Sequence, residues 1–514
     1  MKSETETILI VDYGSQYTQL IARRIRENKT YCEVVTPAHL NNLKDSENII
    51  GVILSGGPNS TINDNKHDLN DYLFELDVPV LGICFGMQLI CKKFGGVLEQ
   101  SSSREYGKAK LDIHIKGKIF DGLSDTLEVW MSHGDSVTEV SDNFKIIAST
   151  NKKSLSAIKV NNKEIYGIQF HPEVTHTLDD GKIISNFVNK ICNSRSQWTT
   201  KNIIIKQISQ IKNKVGDDNV ILGLSGGVDS SVSAAILHKA ISSQLTCIFV
   251  DNGLLRLNER DQVKESFKDF EKIKIHYVDA SKLFMKRLEG ITEPEEKRKI
   301  IGKTFVDVFQ DEAKKIENVK WLAQGTIYPD VIESAASSEN AHLIKSHHNV
   351  GGLPKEMNLD LIEPLRELFK DEVRKLGIEL GIKSTLINRH PFPGPGLAVR
   401  ILGEVKKEYA DILREADNIF IKMLHEYNMY NKISQAFTVF MPIKSVGVTG
   451  DGRSYGNVLS LRAVKTIDFM TAKPFDFPFN FLEEVSTKII NEVPGISRVC
   501  LDISSKPPAT IEWE

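Results

Sequence analysis

Short apolar runs closed by turn residues recur along the chain. Gly51-Val52-Ile53-Leu54 leads into Ser55-Gly56-Gly57-Pro58, and Val78-Pro79-Val80-Leu81-Gly82-Ile83 leads into Cys84-Phe85-Gly86. Such runs predict buried strands, side by side in a parallel sheet. Met87-Gln88-Leu89-Ile90 opens an apolar helix pattern, which places Cys84 on a strand-to-helix turn. Ile165 to Phe170 predicts a further strand that ends in His171-Pro172-Glu173. In the second half, Asn219 to Leu224 predicts a strand, Ser225 to Asp229 a turn and Ser230 to Leu237 a helix, with Leu245 to Asp251 the next strand of a βαβ unit. Val319 to Ala323 predicts another strand, so Gln324-Gly325-Thr326 sits at a carboxyl end, where open α/β sheets bind ligands. Thr292-Glu293-Pro294-Glu295 reads as a capped helix start, with helix from Glu296 to Phe309.

The chemistry of the first turn follows from its residues. A nucleophile there is held in a strained conformation, and a Cβ at Gly82 or Gly86 would crowd the bend. The positive end of the following helix favours thiolate at Cys84. A base distant in sequence is expected, and His171 fits, with Glu173 holding its tautomer if the strand geometry puts both side chains on one face. The backbone N–H groups of Gly57 and Phe85 suit an oxyanion hole. A lone buried cysteine is equally compatible with simple packing, and Gly-Gly-Pro with a simple turn.

Ser225-Gly226-Gly227-Val228-Asp229-Ser230-Ser231 lies between strand and helix, where free N–H groups cradle anions. No lysine follows the glycines, so this is not a Walker A loop. A loop that holds pyrophosphate as leaving group implies attack at the α-phosphorus and an adenylate product. Asp229 is placed to hold Mg²⁺ beside that pyrophosphate.

Composition narrows the class. The 514 residues, 41% hydrophobic and 26% charged, suffice for about three domains with full cores. No stretch approaches the roughly 18 apolar residues of a membrane helix, and the polar N-terminus lacks a signal-peptide layout, so a cytoplasmic location is expected. Six cysteines with no Cys-x-x-Cys pair suggest neither a disulfide frame nor a zinc site. A net charge of −3 argues against a chain-wide nucleic-acid surface. Lys297-Arg298-Lys299 reads as a solvated helix face. His347 and His348 make a poor metal site, since adjacent histidines in a polar loop rarely converge. Lys370 suits either a phosphate or open solvent, and the proline-glycine segment 391–396 either joins domains or walls a site. The end, Lys506 to Glu514, is either frayed or docked through Trp513.

Residues 1 to about 195 resemble class I glutamine amidotransferases, on Gly82-Ile83-Cys84-Phe85-Gly86-Met87-Gln88, His171-Pro172-Glu173 and the opening strand Ile8 to Gln16. That resemblance implies a triad of Cys84, His171 and Glu173, with Gln88 helping to hold glutamine. The Ser225–Ser231 string resembles the pyrophosphate loop of the N-type ATP pyrophosphatases. Together with His390 to Leu397, Gly450 to Tyr455 and the terminal Lys506 to Glu514, these motifs resemble the glutamine-hydrolysing GMP synthase family.

The resemblance implies two open, mostly parallel-sheet α/β domains and a smaller α+β C-terminal domain: 1–195 amidotransferase, 196–385 ATP pyrophosphatase, 386–514 substrate binding and dimerisation. It implies that Ser225, Gly226, Gly227, Val228, Asp229, Ser230 and Ser231, with Lys370, hold ATP phosphates and Mg²⁺, and that Val250 and Gly325 surround the adenine. Arg298, Gln435, Lys506, Ile511 and Glu512 would contact XMP. The substrates would be glutamine, ATP and XMP, the state a homodimer, and no nucleic acid or membrane is involved. Phe85 stands where many relatives carry tyrosine, a harmless change if only its N–H is used. A different glutamine-dependent synthetase of the same loop family, a tRNA-modifying adenylase and a catalytically silent binding protein are the alternatives.

Overall fold

The computed structural model describes residues 5–40, 48–58, 60, 69, 71–150, 155–174, 181–268, 270, 273–331, 359–466, 469 and 471–514. The chain packs as two compact units, residues 1–203 and 204–514.

In the first unit one sheet has the order β2-β1-β3-β4-β9-β8-β7-β5-β6. Its strands are β1 (Thr7–Val11), β2 (Tyr31–Val35), β3 (Ile49–Leu54), β4 (Val80–Ile83), β5 (Val97–Ile113), β6 (Thr126–Glu139), β7 (Phe144–Thr150), β8 (Leu155–Val160) and β9 (Ile165–Ile168). The half from β2 to β9 is parallel and the remainder antiparallel. Every residue of β4 is buried, as expected of a strand covered on both faces. β6 instead alternates, with Val129, Met131, His133 and Asp135 on its buried side.

The second unit begins with a parallel sheet of order β12-β11-β10-β13-β14. The strands are β10 (Asn219–Gly223), β11 (Leu245–Asp251), β12 (Lys274–Asp279), β13 (Val319–Ala323) and β14 (Asp360–Ile362). The chain leaves β10 toward β11 and β12, then crosses back to β13. The carboxyl end of β10 is therefore a topological switch point, where the strand order reverses and a crevice opens.

A mostly antiparallel sheet follows, built from β15 (Gln435–Thr449), β16 (Gly452–Lys465), β17 (Lys473–Pro474) and β18 (Ile496–Asp502), with β18 parallel to β16. The division expected at 385/386 falls inside this unit, where one buried cluster joins Leu254, Phe284 and Ile301 to Leu397, Phe420 and Phe440. The proline-glycine segment is pinned to the loop that follows β11: Leu397 N–H, just past the segment, donates to Leu254 O at 2.8 Å. Gly396, at φ +66°, has no room for a Cβ, which would lie 2.4 Å from the same oxygen.

His390, at the start of that segment, stacks on Tyr430 with ring centroids 3.8 Å apart, and its main-chain N–H donates to the Tyr430 hydroxyl at 2.9 Å. Burial pushes its pKa down to about 4, against the opposing pull of the Tyr430 carbonyl. The unfolded imidazole titrates near 6.5, so between pH 6.5 and 4 the unfolded chain binds the extra proton. Stability conferred by the neutral ring is therefore full above pH 6.5 and falls as pH drops toward 4. Urea unfolding of the native chain is expected to lose about 3 kcal/mol more between pH 7 and pH 4 than that of His390→Phe, which stacks but does not titrate.

Candidate active sites

Cys84 follows β4 directly and precedes the helix Phe85–Lys93. Its φ of +52° lies in the left-handed region, a strain of about 1 to 3 kcal/mol for a residue with a Cβ. Close backbone packing holds it there. A Cβ on Gly82 would meet the Gly86 carbonyl at 2.5 Å, and one on Gly86 would meet Leu54 O at 2.4 Å. Cys84 N–H donates to Ile168 O at 2.8 Å and Gly86 N–H to Ser55 O at 3.1 Å, so the turn is tied to β9 and to the end of β3. Gly57 lies beside it, its Cβ position 3.3 Å from the Phe85 ring.

His171 and Glu173 are both buried, and His171 Nδ1 donates to Glu173 Oε1 at 2.7 Å. Burial by itself favours the neutral ring. The Glu173 carboxylate and a hydrogen bond with Cys84 outweigh it and hold the imidazole well above its ordinary pKa. Gln169 Nε2 donates to Cys84 Sγ at 3.5 Å, and Tyr17 meets the His171 ring edge-on at 5.1 Å.

β6 forms a wall that sequence reasoning missed. Its carbonyls accept from His171 N–H (Trp130 O, 3.0 Å), Cys84 Sγ (Ser132 O, 3.7 Å) and Gln88 Nε2 (Asp135 O, 3.0 Å). Because the contacts are made by main-chain oxygens, no side-chain motif advertises them.

At the second station, Gly226 has φ +75° and Gly227 precedes the helix Val228–Ile241. Gly227 N–H donates to Ser225 Oγ at 3.3 Å and Ser225 N–H to Ser230 Oγ at 3.2 Å. The first turn beyond leaves the N–H groups of Val228, Asp229 and Ser230 without helical acceptors. Ser231 is fully buried, and its N–H donates to Gly227 O at 3.1 Å, so it supports the loop from within the helix. Gly325, after β13, presses on the loop, its Cβ position 3.2 Å from Asp229 C. Val250 is half-buried at the end of β11.

Lys370 Nζ donates to both Asp229 oxygens at 2.7 and 2.6 Å. About a third of each side chain is exposed, so the pair contributes at most about 1 kcal/mol and does not bar another cation. A single accessible carboxylate beside a phosphate cradle fits Mg²⁺, which takes few protein ligands and completes its shell with phosphates and water. Among the described residues no cluster of three or more His, Cys, Asp or Glu is arranged to hold a metal. His347 and His348 lie outside the described residues.

The tail docks. Glu512 accepts from Gln435 Nε2 at 2.7 Å and from Arg400 Nη2 and Nε at 2.9 and 3.1 Å. Ile511 is buried, and Arg298 donates to the main-chain oxygen of Glu514. Lys506 is held elsewhere, donating to Phe469 O at 2.7 Å.

Three family models match the chain: glutamine amidotransferase class-I over residues 9–191, NAD synthase over 200–290 and GMP synthase C terminal domain over 422–513. Over 99% of its length the chain is 58% identical to the glutamine-hydrolysing GMP synthases of Pseudomonas putida (strain GB-1) and Histophilus somni (strain 129Pt), covering 98% of each. It is 56% identical to that of Citrobacter koseri, with the same coverage. The chain belongs to the glutamine-hydrolysing GMP synthase family.

In this member of the GMP synthase family the solvated-face reading of Lys297 is overturned. Lys299 is exposed, but Lys297 has no exposed surface and is paired with Glu514. The helix Pro294–Ala313 turns that position toward the Ala398–Gly403 segment, a contact no local pattern encodes. Arg400 and Arg462, both fully buried, were missed in the same way. Arg462 holds the tail through Ser504 O at 2.6 Å and Thr510 O at 3.1 Å.

Glu173→Gln removes the carboxylate that helps raise the His171 pKa and so weakens the base beside Cys84. The second-order rate of Cys84 alkylation by iodoacetamide at pH 7 is expected to fall about tenfold or more, because the thiolate that reacts loses the support of its paired base. Peptide mapping of the labelled thiol separates Cys84 from exposed Cys500.

Proposed function

We propose that the chain makes GMP from XMP with glutamine as nitrogen donor and ATP as activating agent. The observation that carries this reading is the presence of both stations on one chain whose near full-length relatives are named for that reaction. Cys84 sulfur attacks the glutamine carboxamide carbon, while the N–H groups of Gly57 and Phe85 receive the developing oxyanion. His171, oriented by Glu173, returns a proton to the departing ammonia, and water then hydrolyses the thioester to glutamate. Gln88 shapes the glutamine subsite.

At the second station O2 of XMP attacks the α-phosphorus of ATP, and pyrophosphate leaves into the cradle of Ser225 to Ser231, with Lys370 nearby. Val250 and Gly325 border the adenine. Ammonia adds at C2 of the adenylated XMP and AMP departs. Asp229 would hold Mg²⁺, which neutralises charge on the pyrophosphate when bound. Arg298, Gln435, Ile511 and Glu512 form the XMP subsite, and Lys506, once released from the Phe469 carbonyl, would contact its phosphate.

A homodimer through the C-terminal sheet is part of the reading. The β15–β16 arm exposes Ile443, Val446, Val448 and Tyr455, the last two at 79% and 66%, more apolar surface than a lone arm leaves to water. No helix among the described residues is long and apolar enough to cross a membrane, which accords with a cytoplasmic setting.

The test is product analysis with ATP, Mg²⁺ and XMP, comparing glutamine with ammonium. One AMP and one pyrophosphate per GMP are expected; pyrophosphate without GMP would redirect the search to another acceptor. Cys84→Ala should abolish glutamine-dependent GMP formation while keeping the ammonium-dependent rate within about twofold, because only the first station loses its nucleophile. Asp229→Ala should lower both by about a hundredfold or more.

A further inference from the structure

Lys297 is an unusual group to bury, because an ammonium removed from water needs a counter-charge and full hydrogen bonding. Its Nζ has both: it donates to Ile401 O at 2.8 Å, to Ala398 O at 3.4 Å and to the Glu514 carboxylate. The other Glu514 oxygen accepts the Gly403 N–H at 3.1 Å. The pair thus fastens three segments: the helix Pro294–Ala313, residues 398–403 and the tail. Each carries a group of the XMP subsite or its support. Arg298 follows Lys297, Arg400 lies between Ala398 and Ile401, and Glu512 lies two residues before Glu514. Glu293 also faces Lys297, and burial pulls the ammonium below its ordinary pKa against the effect of Glu514.

We propose that Lys297 and Glu514 are positioning residues for XMP, their buried ion pair holding the tail so that Glu512 and Arg298 address one nucleotide. This rests on the XMP subsite assigned above. Neither residue need touch substrate. A pair that serves only stability would be replaceable by two neutral groups of similar size, whereas a pair that sets the tail's position would not.

Steady-state kinetics of the full chain with ammonium as nitrogen source separates these roles, read alongside thermal unfolding. Glu514→Gln is expected to raise the KM for XMP about tenfold or more and leave the KM for ATP within about twofold. It should also lower the Tm by several degrees, since Lys297 is left unpaired. The double variant Lys297→Met with Glu514→Gln removes both charges, so the Tm should recover while the KM for XMP stays raised. A KM for XMP that returns to the native value with the Tm, or equal rises for XMP and ATP, overturns the proposal. Should Lys297→Met fail to fold, Glu514→Asp carries the test: charge is kept but reach is shortened, and an unchanged KM for XMP overturns it. Arg298→Ala is the control. If it raises the KM for XMP and Glu514→Gln does not, the positioning role alone falls; if it leaves that KM unchanged, the subsite assignment falls and the proposal with it.

Discussion

Backbone packed directly on backbone at the carboxyl ends of parallel strands is the constraint on which both stations depend. At the first, Gly82 and Gly86 let the turn close against itself and against Leu54, and the resulting geometry forces Cys84 into a positive φ. At the second, Gly325 lets the turn after β13 lie against Asp229 and Ser230. Real Cβ atoms do not approach other heavy atoms at 2.4 to 2.5 Å, so at Gly86 no rotamer adjustment would relieve the clash. What glycine contributes here is absence of volume rather than flexibility.

Charge placement is the second organising feature. Partly exposed pairs such as Asp229–Lys370 are weakly held and free to exchange partners. Buried groups are different. His171 with Glu173, Arg400 with Glu512 and Lys297 with Glu514 each satisfy a cation where water is excluded. Such pairs add little net stability over apolar substitutes but fix one arrangement of the chain, because every alternative leaves a charge unpaired.

The proline-glycine segment shows the two features acting together. Phe392 lies within 4.6, 5.9 and 5.0 Å of the guanidinium groups of Arg256, Arg389 and Arg400, measured to the ring centroid. Arg389 also pairs with Glu259 and donates to Gly226 O at 3.4 Å, while Arg400 grips Glu512. Burial draws the Arg256 guanidinium down to about 10, with Asp417 opposing. A rigid loop with an aromatic face therefore stands between the phosphate loop and the tail, giving this segment a wall's role as well as a connecting one.

Sequence alone determined the elements and the chemistry of single positions. Short apolar runs located β3, β4, β9, β10, β11 and β13, and the turns after β4 and β10 carried Cys84 and the Ser225–Ser231 string in plain view, because a turn's geometry demands particular residues at fixed local offsets. Tertiary structure alone decided which distant groups meet. The β6 carbonyls reach Cys84, His171 and Gln88 through main-chain atoms, which leave no trace in side-chain pattern. Lys297 reads locally as a solvated lysine because its counter-charge lies more than 200 positions away. Register and sheet order set those distances, and both depend on long-range packing that no local window contains.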